Sequence, residues 1–212
     1  AFLAHAYNSL GDNLRYEGEW DRALESLERA LVLAKEVGDS RGMADPLITM
    51  GEIALRQGRY DDARQKMTEA LELYQKSDDR WGEAYTLRAL GAVYHRTGHG
   101  ALALKTLREA LHLATIIKDL RGVTAAQLML AELNIAEERY EQAEEYLELA
   151  RGALKSDPTQ LRSSGLAQRL SGRLELVRGR FAEAQQQIAQ SVSIFTAVAD
   201  LYEVGLSHLE MG

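Results

Sequence analysis

The sequence predicts an all-α protein, a right-handed superhelical α-solenoid built from helix-turn-helix repeats. Three observations predict this fold: a short turn that recurs every 40 or 41 residues, an aspartate that recurs with it, and a row of small residues at a fixed offset from it. The composition agrees, because strong helix formers dominate the 212 residues and only 2 are proline. Hydrophobic residues make up 46% and charged residues 27%, which is typical of a folded chain.

The recurring turn separates the two helices of each repeat. Its first copy is Gly18-Glu19-Trp20, and its equivalents begin at Gly58, Gly98, Glu138 and Gly179. Glycine suits the left-handed conformation that commonly ends a helix, so the first helix of each repeat is predicted to end there. The aromatic residue of the turn is predicted to start the second helix and cover the turn, at Trp20, Tyr60, Tyr140 and Phe181.

The recurring aspartate marks the start of the next repeat. It stands at Asp39, Asp79, Asp119 and Asp200, each 21 residues after the first residue of a turn. Aspartate is a good N-cap, so each is expected to begin a first helix. The fourth repeat has Thr159 instead, preceded by Asp157-Pro158, which predicts the weakest joint without a domain boundary. Asp45-Pro46 is expected to delay the start of the second repeat's first helix, because proline fits only a first turn.

The row of small residues predicts where the helices approach one another. Seven residues before each turn stand Gly11, Gly51, Gly91, Ala131 and Gly172. An interior glycine costs about 1 kcal/mol relative to alanine, so its repetition indicates a packing requirement. Two further rows of small residues lie twelve and nineteen residues after these positions. Between the two rows each repeat has a large apolar residue: Leu27, Met67, Leu107, Leu147 and Ile188. These large side chains are expected to fill the space beside the small ones.

Together these markers give a complete map. First helices are predicted near 2–17, 41–57, 80–97, 120–137, 160–178 and 201–212, and second helices near 20–37, 60–76, 100–117, 140–155 and 181–198. The map makes residues 1–212 a single array with repeats near 1–38, 39–78, 79–118, 119–158 and 159–199 and a half repeat at 200–212. Because the chain starts at Ala1 and stops inside a helical pattern, we interpret it as a fragment of a larger protein.

The pattern resembles that of the tetratricopeptide repeat (TPR) family. The signature small and large positions are matched by Leu10-Gly11, Met50-Gly51 and Leu90-Gly91, followed by Ala23, Leu27 and Ala30 and their equivalents. Leu14, Ala54 and Asn134 depart from the usual tyrosine, and the usual closing proline is missing. The 40-residue period and the joint Gly38-Asp39-Ser40-Arg41-Gly42 are similar to a long-period subgroup found in bacterial regulatory and signalling proteins. The resemblance covers essentially the whole chain and implies a concave groove of first helices that holds a peptide or protein segment.

The resemblance also implies which side chains line that groove. Its polar positions carry Asn8, Asp12, Arg15, Glu52, Arg56, Arg88, His95, Arg96, Glu132, Arg169 and Arg173, and its apolar positions include Ile48, Leu55, Leu128, Ile135 and Leu176. Asn8 would anchor a peptide backbone, because an amide both donates and accepts hydrogen bonds. The arginines would form a basic wall suited to carboxylates. The expected occupant is therefore a segment with acidic and aliphatic residues. The alternatives are solvated surface arginines and aliphatic residues that belong to the core between repeats.

Other function classes lack sequence support. There are no cysteines, the net charge is −7 and the pI is about 5.3, so direct nucleic-acid binding is not expected. No apolar run is long enough for a membrane span. Phosphate-binding glycine loops, zinc-protease signatures and serine elbows are absent, so we predict no enzyme activity, no catalytic residues and no cofactor. His95 and His99 have a metal-like spacing, but Gly98 should end the helix between them, so no metal site is predicted.

The sequence therefore predicts a scaffold module that binds a protein or peptide within a larger regulatory or signalling protein, located in the cytoplasm. Two alternatives stay open. One is an inducer or small-ligand sensor domain of a bacterial transcription activator. The other is a self-association element that forms a homo-oligomer through the exposed terminal helix at 201–212.

Overall fold

Helices joined by short turns make up the computed structural model, which describes residues 2–210. The first helices of the pairs are α1 (Phe2–Glu17), α3 (Ser40–Arg56), α5 (Arg80–Arg96), α7 (Leu120–Ala136), α9 (Leu161–Val177) and α11 (Leu201–Leu209). The second helices are α2 (Trp20–Glu36), α4 (Tyr60–Lys76), α6 (Gly100–Ile116), α8 (Tyr140–Ser156) and α10 (Phe181–Ala197). The predicted map is confirmed to within a residue or so, except for the last helix, whose predicted final residues 211 and 212 lie outside the described residues.

The chain divides into two compact units, with the division between Ile117 and Lys118. Unit 1 contains α1 to α6. In it each first helix packs on its own second helix, α1 packs on α3, and α3 packs on α5. Unit 2 contains α7 to α11. In it α9 packs on α7, α8 and α10, and α11 packs on α10. The prediction of one continuous array over residues 1–212 stays a prediction.

The helix ends follow the two turn markers. Gly18, Gly58, Gly98 and Gly179 have φ values of 80°, 75°, 76° and 72°, which confirms the predicted left-handed residues. In the fourth repeat Glu138 adopts the same conformation, with φ of 57°. The aspartates act as predicted caps, because Asp39, Asp79 and Asp119 accept hydrogen bonds of 2.9, 2.9 and 3.0 Å from Gly42, Gly82 and Gly122 N–H groups.

The small residues allow the close approach of paired helices. A Cβ atom added at Gly91 would lie 2.5 Å from Leu107 Cδ2, and one added at Gly172 would lie 2.5 Å from Ile188 Cγ1. Leu107 and Ile188 are themselves buried. The large side chains therefore occupy the volume that the glycines leave open, as the sequence predicted.

The prediction for Pro46 is wrong. Helix α3 begins at Ser40, six residues before Pro46, and the proline is buried inside the helix. The Asp39 cap sets the start of the helix upstream by accepting the Gly42 N–H at 2.9 Å. The Tyr74 hydroxyl also donates a 2.7 Å hydrogen bond to Asp45, which ties this turn of α3 to α4. These contacts offset the single backbone hydrogen bond that proline cannot donate.

Candidate functional site

A buried arginine connects α1 to α3 in unit 1. The Arg15 side chain on α1 is only 4% exposed, and its Nη1 lies 3.2 Å from Glu52 Oε2 on α3. Its Nη2 lies 2.7 Å from Asp12 Oδ1, and its guanidinium lies 4.0 Å from the centre of the Tyr16 ring. Burial alone would lower the pKa of Arg15, but the carboxylates of Glu52 and Asp12 and the Tyr16 hydroxyl raise it above its usual value. Arg15 is therefore a charged residue of the protein interior. The groove prediction assumed that its side chain is exposed to a partner, and the structure shows that it is not.

The Glu52 carboxylate also connects α1 and α3 to α5, the first helix of the third repeat. The Tyr85 hydroxyl on α5 donates a 2.6 Å hydrogen bond to Glu52 Oε1. Burial alone would raise the pKa of Glu52, but Arg15, the Tyr85 hydrogen bond, Arg88 and Arg56 together hold it below its usual range. Glu52 is therefore ionised at neutral pH and bridges α1, α3 and α5.

Tyr85 in turn supports two side chains on its own helix. The Trp81 ring stacks on the Tyr85 ring, with 5.7 Å between centroids and 20° between planes. The Arg88 guanidinium lies 4.6 Å from the Tyr85 ring centre. Trp81 is 53% exposed, so a large indole surface faces solvent beside a stacked guanidinium.

Sequence reasoning missed Trp81 and Tyr85. The groove positions taken from the resemblance begin three residues before the small residue, which excludes the first half of α5. A signal was nonetheless present, because Trp81 and Tyr85 stand seven and three residues before Arg88 and therefore share its helical face. We define the unit 1 inner face as Asn8, Asp12, Arg15, Glu52, Arg56, Trp81, Tyr85, Arg88, His95 and Arg96.

The remaining predicted residues of this face differ in exposure. Asn8, Arg56, Arg88 and His95 are partly buried, and Arg96 is exposed. The Asn8 Oδ1 atom is buried and has no hydrogen-bond donor among the residues that the structure describes. An unsatisfied buried acceptor costs about 1–3 kcal/mol.

The predicted polar residues of unit 2 form a second network. Arg169 on α9 is buried, and its Nη1 lies 2.6 Å from Glu203 Oε2 on α11. Arg173 lies 3.7 Å from Glu132 on α7 and 3.9 Å from Glu210. Three carboxylates thus surround two guanidiniums. Burial raises the pKa of Glu210 above its usual value, although both arginines oppose this change.

This second network changes the interpretation of the basic wall. The sequence prediction placed Arg169 and Arg173 on the basic wall with Glu132 as a further groove residue, whereas Glu203 and Glu210 also pair with these arginines and neutralise them. Glu203 and Glu210 were missed because they lie in the last, partial repeat. In unit 2 the predicted basic wall is therefore neutralised by carboxylates.

The prediction of apolar groove positions is wrong for three of the five aliphatic residues. Leu128 is fully buried, and Ile48 and Ile135 are 6% exposed. Ile48 belongs to the core of unit 1 together with Met67 and Leu90, and the other two belong to the core of unit 2. Leu55 and Leu176 are partly buried. The alternative that these aliphatic residues pack in the core therefore holds for Ile48, Leu128 and Ile135.

A family model decides the classification. The model described as "Tetratricopeptide repeat" matches residues 2–76 and 42–116, which together span more than half of the chain. The chain belongs to the tetratricopeptide repeat family. No curated protein shows significant sequence similarity to it.

Solved TPR structures support the fold. The apo form of RapI has a TM-score of 0.71 at 15% identity and covers 98% of this chain and 81% of its own. TPR-like repeats described as kinesin light chain from Podosopora anserina have a TM-score of 0.63 at 16% identity, covering 92% and 95%. BtubC from P. vanneervenii has a TM-score of 0.62 at 16% identity, covering 91% and 87%. The predicted fold class, an all-α solenoid of TPR helix-turn-helix repeats, is confirmed.

The TPR classification also bears on chemistry. TPR repeats are typical of protein–protein interaction and generally form non-enzymatic scaffolds. His95 lies near the end of α5 and His99 lies in the turn after it, separated by Gly98. Among residues 2–210, no three histidine, aspartate or glutamate side chains are grouped to hold a metal ion. Over the same residues, no helix has both the length and the apolar character that crossing a bilayer requires.

Proposed function

We propose that this TPR chain is a scaffold module that binds a protein segment, and that the segment lies on the unit 1 inner face. The observation that carries the proposal is the exposed Trp81 indole stacked on Tyr85, whose hydroxyl is bonded to Glu52. Tryptophan, tyrosine and arginine are the residues most enriched at binding hot spots. A side chain already held in one geometry loses less entropy when a partner arrives.

The Asn8 amide supports the same proposal. The Asn8 side chain is partly exposed on α1, and its amide can both donate and accept a hydrogen bond. Asn8 therefore gives the face a contact that any peptide backbone can make, whatever its side chains.

The charge of the face indicates what kind of segment it attracts. Asp12 and Glu52, the two acidic residues of the face, pair with the buried Arg15, and Arg56, Arg88 and Arg96 are the further arginines of the face, in a chain whose net charge is −7. A local excess of positive charge steers acidic partners toward the face and repels basic ones. The proposed partner is therefore a protein segment that carries acidic residues.

A binding experiment with matched variants tests the proposal. Random 12-residue peptides displayed on phage are selected against the intact chain, and binding of the enriched pool is measured. The double variant Arg88→Glu/Arg96→Glu reverses charge on the inner face. Arg29→Glu/Arg64→Glu reverses the same number of exposed charges on the second helices α2 and α4.

The expected result is a loss of at least about tenfold in pool binding for the inner-face variant and little change for the second-helix variant. Equal binding to both variants, or the absence of any enriched pool, would contradict the proposal. The far-UV circular dichroism of both variants should match that of the parent chain, so that altered binding reports the face and not unfolding.

The wider setting follows the resemblance. We place the module in a larger regulatory or signalling protein, and its bacterial origin and cytoplasmic location stay predictions. The inducer-sensor and self-association alternatives also stay predictions.

A further inference from the structure

We propose that Arg169 and Arg173 on α9 form a second binding site, for an acidic segment of a partner protein, and that α11 covers this site. In the structure the carboxylates of Glu203 and Glu210 contact the two arginines. When α11 leaves α9, acidic side chains of the partner take the places of these carboxylates. The inference concerns unit 2 and goes beyond the proposed function, which places its segment on the unit 1 inner face.

Charged side chains make the contact between α9 and α11. Arg169 Nη1 lies 2.6 Å from Glu203 Oε2, and Arg169 Nε lies 4.0 Å from Glu210 Oε1. Arg173 Nε lies 3.9 Å from the same Glu210 oxygen. The two arginines are four residues apart on α9, and the two glutamates are seven apart, so each pair shares one helical face. The helix α11 therefore presents two carboxylates to two guanidiniums, as an acidic ligand would.

Few side chains of α11 are fully buried. Ser207 is the one buried residue within Leu201–Leu209, and its Oγ lies 3.1 Å from Ser191 Oγ on α10. Leu201 and Leu209 are 66% and 78% exposed, whereas α9 has seven buried residues. Because α11 buries little apolar surface, its release exposes little, and segments of this kind open at a lower free energy than the core.

Release of α11 uncovers two guanidiniums that share one remaining carboxylate. That carboxylate is Glu132 on α7, whose Oε1 lies 3.7 Å from Arg173 Nη1. The Arg169 guanidinium also lies 5.8 Å from the centre of the Phe195 ring on α10, a contact that does not depend on α11. Guanidiniums bind carboxylates through paired N–H donors, and a buried charge without a partner is unfavourable. The uncovered site therefore favours an acidic occupant.

Hydrogen exchange of the intact chain, followed by mass spectrometry, tests whether α11 opens separately. Fragments from α11 should exchange at least about tenfold faster than fragments from α9 and α10. Glu203→Gln/Glu210→Gln should increase the exchange of α11 further and leave α10 unchanged. The matched control Glu141→Gln/Glu148→Gln removes two exposed carboxylates, also seven residues apart, from α8 and should leave α11 unchanged. Exchange of α11 at the rate of α10 in the parent and in Glu203→Gln/Glu210→Gln would overturn the proposal.

A labelled peptide with the sequence of residues 200–212 tests whether the uncovered site binds an acidic segment. Fluorescence anisotropy should show binding to Glu203→Gln/Glu210→Gln at least about tenfold tighter than to the parent, in which the tethered α11 competes at a high effective concentration. The same peptide with both glutamates replaced by glutamine should bind neither chain.

Two further variants locate the binding on α9. Arg173→Gln, added to Glu203→Gln/Glu210→Gln, should weaken peptide binding at least about tenfold, since the peptide carboxylates lose a charged partner. The side chain of Arg173 is 26% exposed, which makes it safer to replace than the buried Arg169. Arg180→Gln, which replaces a half-exposed arginine of the next turn, should leave binding unchanged. If Glu203→Gln/Glu210→Gln loses exchange protection throughout unit 2, Glu210→Gln alone replaces it in every comparison.

Three results of the peptide assay would overturn the proposal. They are equal binding to the parent and the glutamine variant, equal binding of the acidic peptide and its glutamine version, and the absence of binding to the glutamine variant. None of these measurements involves the unit 1 inner face, so their failure leaves the proposed function standing.

Discussion

The Tyr85 hydroxyl donates a 2.6 Å hydrogen bond to Glu52, and this bond joins α5 to α3. Glu52 also lies 3.2 Å from Arg15 on α1, so a single carboxylate links three successive first helices. The same bond positions the phenol ring on which Trp81 and Arg88 stack. The buried network and the exposed face of unit 1 are therefore coupled through Tyr85, and damage to one should appear in the other.

Replacement of Glu52 with Gln should destabilise unit 1 strongly. The Arg15 guanidinium would remain buried with Asp12 as its one carboxylate partner. Removal of one partner of a buried ion pair costs about 3 kcal/mol or more, because the other charge stays buried. Tyr85→Phe removes only one hydrogen bond to a charged group and should cost about 2 kcal/mol. Urea unfolding followed by circular dichroism measures both values. A cost for Glu52→Gln below that of Tyr85→Phe would count against the proposed role of the carboxylate as a bridge.

The cost of Glu52→Gln should depend on pH. The folded-state pKa of Glu52 lies below the ordinary value of 4.5, so the ionised carboxylate contributes stability that is fully present above pH 4.5. This contribution is lost as the pH falls through the lower folded-state pKa. The difference in unfolding free energy between the parent and Glu52→Gln should therefore be constant near pH 7 and shrink below pH 4.5.

Exposed Glu69 on α4 provides the control for this pH dependence. Glu69→Gln should change stability little across the same range. A Glu52→Gln difference that grows on acidification would have the wrong sign for an ionised, paired Glu52.

The helix framework could be predicted from the sequence because its periodicity records packing. Gly91 and Gly172 recur where Leu107 and Ile188 fill the neighbouring volume, so the pattern of small and large residues was sufficient to place the helices. The Pro46 prediction failed because a local rule about proline ignored the stronger cap at Asp39.

The site was harder to predict because its contacts cross between helices. Glu52 and Tyr85 are 33 residues apart, and Arg169 and Glu203 are 34 apart. Periodicity shows which face a residue occupies, but it does not show which charged partner its side chain reaches. For that reason Arg15 and Arg169 were predicted to line the groove, whereas both are buried and paired.

Two glycines of unit 2 should respond to alanine in opposite ways. At Gly172 a Cβ atom would lie 2.5 Å from Ile188 Cγ1 and 3.1 Å from the Ala184 carbonyl oxygen, so Gly172→Ala should destabilise by about 1–3 kcal/mol. At Gly152, inside α8, no atom lies within 4 Å of the added Cβ, so Gly152→Ala should stabilise by about 0.5–1 kcal/mol. Thermal melting of the two variants checks both signs. Equal effects would contradict the close-approach explanation for the recurring glycines.

Replacement of Glu138 with Gly should stabilise unit 2. Glu138 has a φ of 57° where four other turns have glycine, and a non-glycine residue pays about 1–2 kcal/mol for this conformation. The entropy of glycine in the unfolded chain offsets part of the gain, which leaves about 0.5–1 kcal/mol. An increase in the urea midpoint is expected. Gly179→Ala, the reverse exchange at the equivalent turn, should lower it, and a decrease for both variants would contradict the strain argument.

The most direct test of segment binding uses the 2 tryptophans of the chain. Trp81 is exposed on the unit 1 inner face, whereas Trp20 starts α2 and packs against the core of unit 1. In a 15N-labelled sample the two indole N–H groups give separate NMR signals, which substitution of either residue assigns. Titration with a peptide from the enriched pool should shift the Trp81 signal in a saturable way and leave the Trp20 signal nearly unchanged. A peptide that binds while the Trp81 signal stays in place would contradict the proposal that the segment lies on this face.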